Sequence, residues 1–357
     1  MSTVRIGILG NSFAGSVQLP ALKVVGGNQV VGIAGAQLAK AKATADKWNI
    51  PLATDDYREV LALEPDLLIV STPVHLHHKM VMDALKTKAA ILCEKPFALN
   101  TSEAAQLVEA AQGRAALIDH QLRFSPVRRA LREQLAAKAI GDVWHVEMDF
   151  SIAIPGFETR PYRWWYDEAR GGGVFGALGS HMIDLLRFEL GEVTAIRAQL
   201  DVLAKERKDA DGCAHKVTAD EHATFALRFE SGARADLVTS TAVREARGFT
   251  TRYTGSQGTL LVQDEVRLLG GDSAAKAMTP AAGAAELPTA ESLGMPNGGP
   301  FACALPGYLK EVLEMVRTQA TTLEGAATFA DGLAVQRILD AGRSSNVSGG
   351  GWVNIER

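Results

Sequence analysis

Residues 86–100 read KTKAAILCEKPFALN. Ala89, Ala90, Ile91, Leu92 and Cys93 form an apolar run of strand length, too short for a helix of its own. Glu94 and Lys95 follow at once, and Pro96 ends the ladder because it has no N–H to give. In a parallel sheet, ligands gather beyond the carboxyl ends of the strands. A lysine fixed there by a proline is therefore a candidate for chemistry. The plain alternative is a solvated charge pair at a strand end.

The same rhythm extends in both directions. Upstream, 4–9 reads as a buried strand, 17–24 as a helix, 30–34 as a second strand and 39–48 as an Ala/Lys-rich helix. A short helix over 55–61 precedes a third strand over 67–71, closed by Thr72-Pro73, and a helix over 78–85 leads back to the opening stretch. Downstream, 101–112 reads as a helix with Thr101 as its cap and Glu103 in its first turn, and 117–120 as a further strand. Strands alternating with helices predict a parallel, doubly wound sheet, an α/β Rossmann dinucleotide-binding domain over 1–122.

After Arg123 the pattern changes. A helix is expected over 125–138. Trp144, Val146, Met148, Phe150 and Ile152 then alternate with polar residues, as do Ala223, Phe225, Leu227 and Phe229, so one strand face is buried and one is not. Further strands are expected over 235–241, 249–255 and 259–262, a surface loop over 270–300, and helices over 308–316 and 329–343. This predicts an α+β domain over 123–357 built on a large open, mainly antiparallel sheet.

With 357 residues the chain is too long for one core. Its net charge of -4 gives no reason to expect nucleic acid or a membrane surface. No apolar run approaches the ~20 residues of a spanning helix. The opening MSTVRIGILG runs straight into a strand, so a cytoplasmic protein without a signal peptide is expected. Cys93, Cys213 and Cys303 lie far apart, show no metal spacing, and are expected to be buried thiols in a reducing compartment.

Gly10-Asn11-Ser12-Phe13-Ala14-Gly15 stands between a strand and a helix, the place of a dinucleotide fingerprint. Gly10 suits the tight turn, Gly15 suits close helix packing, and the helix start suits a pyrophosphate. Ser12 stands where the middle glycine is usual. The second strand ends Ala34-Gly35-Ala36-Gln37, without the acid that holds a free ribose 2′-OH; Lys40 and Lys42 follow. In the second domain, Ser180 is expected to cap a helix, with His181 in its first turn and Asp184 three residues on, along the same face. The positive helix end would then favour a neutral, proton-accepting imidazole. Tyr162, Arg163, Trp164 and Trp165 suit a ring-stacking pocket or a core.

Together these residues resemble the Gfo/Idh/MocA family of oxidoreductases. The resemblance runs through Gly10 to Gly15, Ser71-Thr72-Pro73 with His77, Glu94-Lys95-Pro96, Gln121-Leu122-Arg123-Phe124, Trp164-Trp165, Gly171-Gly172-Gly173, Gly179-Ser180-His181 with Asp184, and 328–332. It implies a nicotinamide cofactor, NADP or NAD with a lean to NADP, lined by Gly10, Asn11, Ser12, Phe13, Ala14, Ser71, Thr72, Pro73, His77, Glu94, Lys95 and Gln121. It implies a sugar, cyclitol or related polyol met by Lys95, Arg123, Trp165, His181 and Asp184. Lys95 and His181 are the implied catalytic pair, Lys95 donating to the reacting oxygen and His181 moving the proton. No metal is implied. A homodimer or homotetramer through the C-terminal sheet is implied. Ala177 stands where many members carry an aspartate. A non-catalytic dinucleotide-binding sensor of the same fold is the alternative.

Overall fold

The computed structural model describes residues 2–245, 248–272, 274–281, 290, 292–295 and 299–356. The chain divides into two compact units, 1–125 with 288–333, and 126–287 with 334–357.

The first unit is built on six parallel strands: β1 (Val4–Leu9), β2 (Asn28–Ala34), β3 (Leu52–Thr54), β4 (Leu67–Val70), β5 (Ala90–Cys93) and β6 (Ala116–Ile118), in the order β3-β2-β1-β4-β5-β6. Successive side chains feed opposite faces. Ile6, Ile8, Ile33, Leu67, Ile69, Leu92 and Leu117 join one apolar cluster, while Leu9, Ala34, Leu68, Val70, Ile91 and Ile118 join another. Both faces are therefore covered, which is why these strands read as continuous apolar runs. α1 (Leu19–Val25) and α2 (Leu38–Trp48) contribute to the first cluster. α3 (Tyr57–Leu61), α4 (His77–Ala84) and α5 (Thr101–Ala110) contribute to the second. Because the strands are parallel, Gly10, Gly35, Ser71, Glu94 and Asp119 all leave the sheet at one edge.

The second unit opens with α6 (Pro126–Ala136) and carries a nine-stranded mixed sheet. Its strands are β7 (Val143–Ser151), β8 (Val193–Asp201), β11 (His222–Phe229), β12 (Arg234–Ser240), β13 (Gly248–Gly255), β14 (Thr259–Gln263), β15 (Arg267–Gly271), β16 (Thr279–Pro280) and β17 (Val353–Asn354). A small hairpin, β9 (Glu206–Lys208) with β10 (Ala214–Lys216), stands beside it. Only β7 and β12 pair in parallel among these described strands. α7 (Ser180–Leu190) continues a π-helical turn, Phe175–Gly179. Phe175 meets Phe225 edge-on at 5.2 Å.

α8 (Leu305–Arg317) and the start of α9 (Phe329–Val347) return to the first unit, so the division is not a single cut at 122/123. Tyr308, Leu309, Val312 and Leu313 are almost wholly buried in the cluster with α1, a burial that stabilises by roughly 1.5–3 kcal/mol per side chain before entropy. Ile118 N–H donates to Ala327 O at 2.8 Å, and Phe97 packs on Phe329 at 4.6 Å.

Several local expectations are corrected. Asn100, not Thr101, caps α5: its side chain accepts from Glu103 N–H at 3.0 Å. Asn100 is the extended residue just before the first turn, so its carboxamide oxygen reaches the free N–H. Cys213 is exposed, beside the tight turn at Asp209, and Cys303 is part-buried; only Cys93 is buried. Strands β8 and β15 were not read from the sequence. Within the expected 270–300 loop, Thr279–Pro280 pairs with β15 and Met295 is buried; much of the remainder lies outside the described residues. Of the stripe expected to be buried, Val146, Met148 and Phe150 are, whereas Trp144 near the start of β7 and Ile152 just past its end are exposed, because the covering layer stops short of the strand ends. The residues alternating with them are charged and paired across strands, as in His145–Asp236 at 2.9 Å, so an apolar outer stripe is absent from β7.

Candidate active site

Helical structure begins at Ser12, earlier than the periodicity predicts, and runs through a π-helical turn, Ala14–Gln18, into α1. Gly10 has φ +105°, and a Cβ there would stand 2.1 Å from Ser71 O. The turn thus requires glycine for both conformation and space. Gly15 does not: a Cβ there would meet only Thr44 Cγ2, at 3.5 Å. Asn11 lies against Gly35, where an added Cβ would come within 2.8 Å of its carboxamide.

Pro73 closes the turn after β4. Ser71 N–H donates to Leu9 O at 2.7 Å, holding that turn beside the Gly10 turn. The Ser71 Oγ, Thr72 Oγ1 and both amide atoms of Gln121 are buried without a protein hydrogen-bond partner among the described residues. Buried polar atoms are normally satisfied. With the Gly10 turn and the N–H groups that open the helix at Ser12, these atoms at the carboxyl edge fit a polar, phosphate-bearing dinucleotide.

His77 is buried, and its ring lies between main-chain carbonyls, Nε2 2.8 Å from Thr72 O and Nδ1 3.0 Å from Pro96 O. It ties the 71–73 turn to the 95–97 turn, whose Lys95-Pro96 peptide is cis. Burial pulls its pKa down, against those carbonyls. The residue expected to line the cofactor thus also positions these two loops. Arg123, expected to meet the substrate, has a partner within the fold. It is buried and pairs with Asp331 at 3.1 Å, while Asp331 accepts from Thr328 N–H and Oγ1. Its guanidinium holds the 328–331 turn within the first unit.

Lys95 stands two residues past the end of β5. Burial lowers its pKa, opposed by the charges of Glu94 and Asp119. Glu94 therefore does not alone decide the charge of the lysine. The Glu94 carboxyl is itself pushed well up, by burial first and then by Asp119. Gln18 Nε2 donates to Glu94 Oε1 at 2.7 Å and reaches Asp119 Oδ2 at 3.3 Å. Sequence reading missed Gln18 and Asp119. Gln18 was hidden in an apolar-periodic helix, whereas Asp119 carried a usable signal: it is an acid at the end of β6, as Glu94 is at the end of β5.

In the second unit, His181 is fully buried and Asp184 nearly so. Ser180 is not a cap. Helical structure already begins at Val174, so His181 sits inside a continuous run and not at its positive end. The expected helix-end effect on its imidazole is withdrawn. The run is capped by Asp220, which sequence reading also missed. Its Oδ2 accepts from Phe175 N–H at 2.7 Å and its carbonyl from Val174 N–H at 3.0 Å. Burial raises the Asp220 pKa to about 6. Gly173, at φ +106°, leaves room for that carboxylate, 2.2 Å from where its Cβ would be. Trp165 is half-buried, edge-on to Trp164 at 5.8 Å, with the Arg163 guanidinium 5.9 Å from its ring. Ala177 is buried one turn before His181.

A doubly wound nucleotide-type domain joined to an α+β domain with a broad mixed sheet defines a two-domain, dinucleotide-dependent oxidoreductase. Two family models match in tandem: an oxidoreductase family NAD-binding Rossmann fold over 4–119 and a GFO/IDH/MocA C-terminal domain over 128–261. The trans-1,2-dihydrobenzene-1,2-diol dehydrogenase of Xenopus laevis is 30% identical over 240 residues, 66% of this chain and 67% of that one. The D-apiose dehydrogenase of Paraburkholderia graminis is 26% identical over 268 residues, 73% and 68% of the two chains. Among solved structures, a levoglucosan dehydrogenase in complex with NADH and L-sorbose superposes with a TM-score of 0.86 at 19% identity, covering 100% of both chains. The chain belongs to the Gfo/Idh/MocA family of NAD-binding oxidoreductases.

Proposed function

We propose that the chain is a cytoplasmic NAD(P)-dependent dehydrogenase of a sugar, cyclitol or related polyol. Nicotinamide, when bound, supplies the hydride chemistry; the protein supplies positioning and proton handling. The turn residues Gly10 to Ala14 receive the pyrophosphate at the helix start, and Ser71, Thr72, Pro73 and Gln121 line the cofactor. Lys95 donates to the substrate oxygen, and His181 takes or returns the proton. Trp165 and Asp184 serve the substrate side. The observation that carries this reading is the set of buried, unpartnered polar atoms of Ser71, Thr72 and Gln121 at the edge where Lys95 leaves its strand. The names of its relatives, dehydrogenases of D-apiose and of a cyclic diol, support the substrate class.

Its lean is to NADP. Ala36, Gln37 and Lys40 are exposed where β2 hands over to α2, and no acid lies in the first turn of that helix. Assembly as a homodimer or homotetramer through the charged outer face of the large sheet completes the reading; light scattering showing a monomer at micromolar concentration overturns that part. A dehydrogenase screen across sugars, cyclitols and diols with both cofactors tests the activity. Turnover abolished by Lys95→Ala supports the proposed role, and absence of turnover with every polyol in both directions refutes the reading.

A further inference from the structure

Three side chains from three different elements converge at Glu94, the residue before Lys95. Glu94 comes from the end of β5, Asp119 from the end of β6 and Gln18 from the helix that follows the Gly10 turn. All three are buried, Gln18 and Asp119 completely. One amide nitrogen, Gln18 Nε2, lies 2.7 Å from a Glu94 oxygen and 3.3 Å from an Asp119 oxygen. Both carboxyl groups therefore lie against one amide nitrogen in a buried site. Like charges this close do not both ionise, so one of the two holds a proton. The main chain fixes the arrangement, since Asp119 N–H donates to Cys93 O at 2.8 Å and Glu94 N–H to Val70 O at 2.9 Å.

We propose that Glu94 and Asp119 share one proton, oriented by Gln18, and so present Lys95 with a single fixed negative charge that holds it as an ammonium. Asp119 and Gln18 are then positioning residues for the lysine, acting through Glu94. The Cys93 thiol, beside both carboxyl groups, is kept neutral by burial, and the buried His120 follows Asp119 in the chain. This inference rests on the proposed reaction only in giving Lys95 something to do.

The arrangement predicts an unusual pattern. Glu94→Gln leaves Asp119 ionised, and Asp119→Asn leaves Glu94 ionised, so each single variant keeps one negative charge. The double variant keeps none. Lys95 is read by NMR of the whole protein carrying carbon-13-labelled lysine, its signal assigned by its loss in Lys95→Arg. Each single variant is expected to leave the Lys95 midpoint within about half a pH unit of wild type, and the double variant to lower it by at least about one unit. A double variant that titrates like wild type, or one single variant that falls as far as the double, overturns the proposal. Infrared difference spectra of wild type against each single variant at neutral pH give a second reading, needed where the double variant does not fold. Loss of one protonated-carboxyl band in both supports the shared proton, and its retention in both refutes it. Turnover surviving in Lys95→Ala would instead remove the lysine from the reaction and leave these titrations as they are.

Discussion

Arg128 Nη2 lies 2.6 Å from Glu265 Oε1, with both side chains wholly buried. The same guanidinium bonds Thr251 Oγ1 at 2.9 Å, Tyr253 Oη at 3.1 Å and Glu189 Oε1 at 3.3 Å. One cation thus faces two buried carboxyl groups. Burial pushes the Glu189 pKa up to about 7, against the pull of Arg128. Burying one pair is tolerable; burying a second, uncompensated anion is not.

Stability is therefore expected to fall as pH rises through this site. Between the usual glutamate range and about pH 7, the folded chain holds one proton more at Glu189 than the unfolded chain. The contribution is fully present below about pH 4.5 and lost as pH passes about 7, on the order of 3 kcal/mol. Glu189→Gln should flatten the denaturation midpoint between pH 5 and 8 and leave the variant the more stable form at pH 8. An unchanged pH slope in the variant would sink this account.

Two glycines in one motif are expected to behave oppositely. Gly10→Ala places a Cβ 2.1 Å from Ser71 O at a φ of +105° and should cost more than about 3 kcal/mol. Gly15→Ala meets an ordinary 3.5 Å contact inside a helix and should be neutral or gain up to about 1 kcal/mol. Thermal unfolding of the two variants separates them; a Gly10→Ala protein as stable as wild type would show that the turn can open.

These glycines also mark how far the sequence can be read. The sheet was legible because the buried strands carry uninterrupted apolar runs, and the Glu94-Lys95-Pro96 turn because proline and charge end such a run visibly. Gly15 was misread because spacing gives a glycine's place but not its neighbours. Gln18 and Asp220 were missed because their partners are 76 and 45 residues away in sequence, and contacts made over such a distance leave no local signature; Asp119 left only its place at the end of β6. The β7 stripe was read correctly at Val146, Met148 and Phe150 but not at Trp144 and Ile152, which are exposed, since alternation does not say how far along a strand a second layer reaches.

Cofactor choice follows from the end of β2. With Gln37 exposed and extended before α2, NADP should bind at least as well as NAD, and Gln37→Asp should swing the preference toward NAD by about tenfold, or 1.4 kcal/mol. Titration of each cofactor by tryptophan fluorescence measures it. A tenfold preference for NAD in the unaltered protein would refute the lean.

His181→Ala should lower turnover by roughly 10²–10⁴-fold, the usual worth of a positioned acid or base, with dinucleotide binding kept. Phe175 and Gly179 pack around the same helix, so circular dichroism must first show that the run is intact. His181→Ala with wild-type turnover would take the proton-transfer role away from this residue.

Tyr308 donates its hydroxyl to Ile118 O at 3.0 Å, 190 residues back along the chain. On the ribosome, the six strands of the first unit emerge long before the helix that seals one of their faces. Until 305–317 has been made, that face is only partly covered, by α1 and α2, and the nascent protein must wait through eight of the nine strands of the second sheet in that state. A chain stopped at 122 or 125 would remain in that unfinished state, so the nucleotide-binding half cannot be detached by cutting at its apparent end.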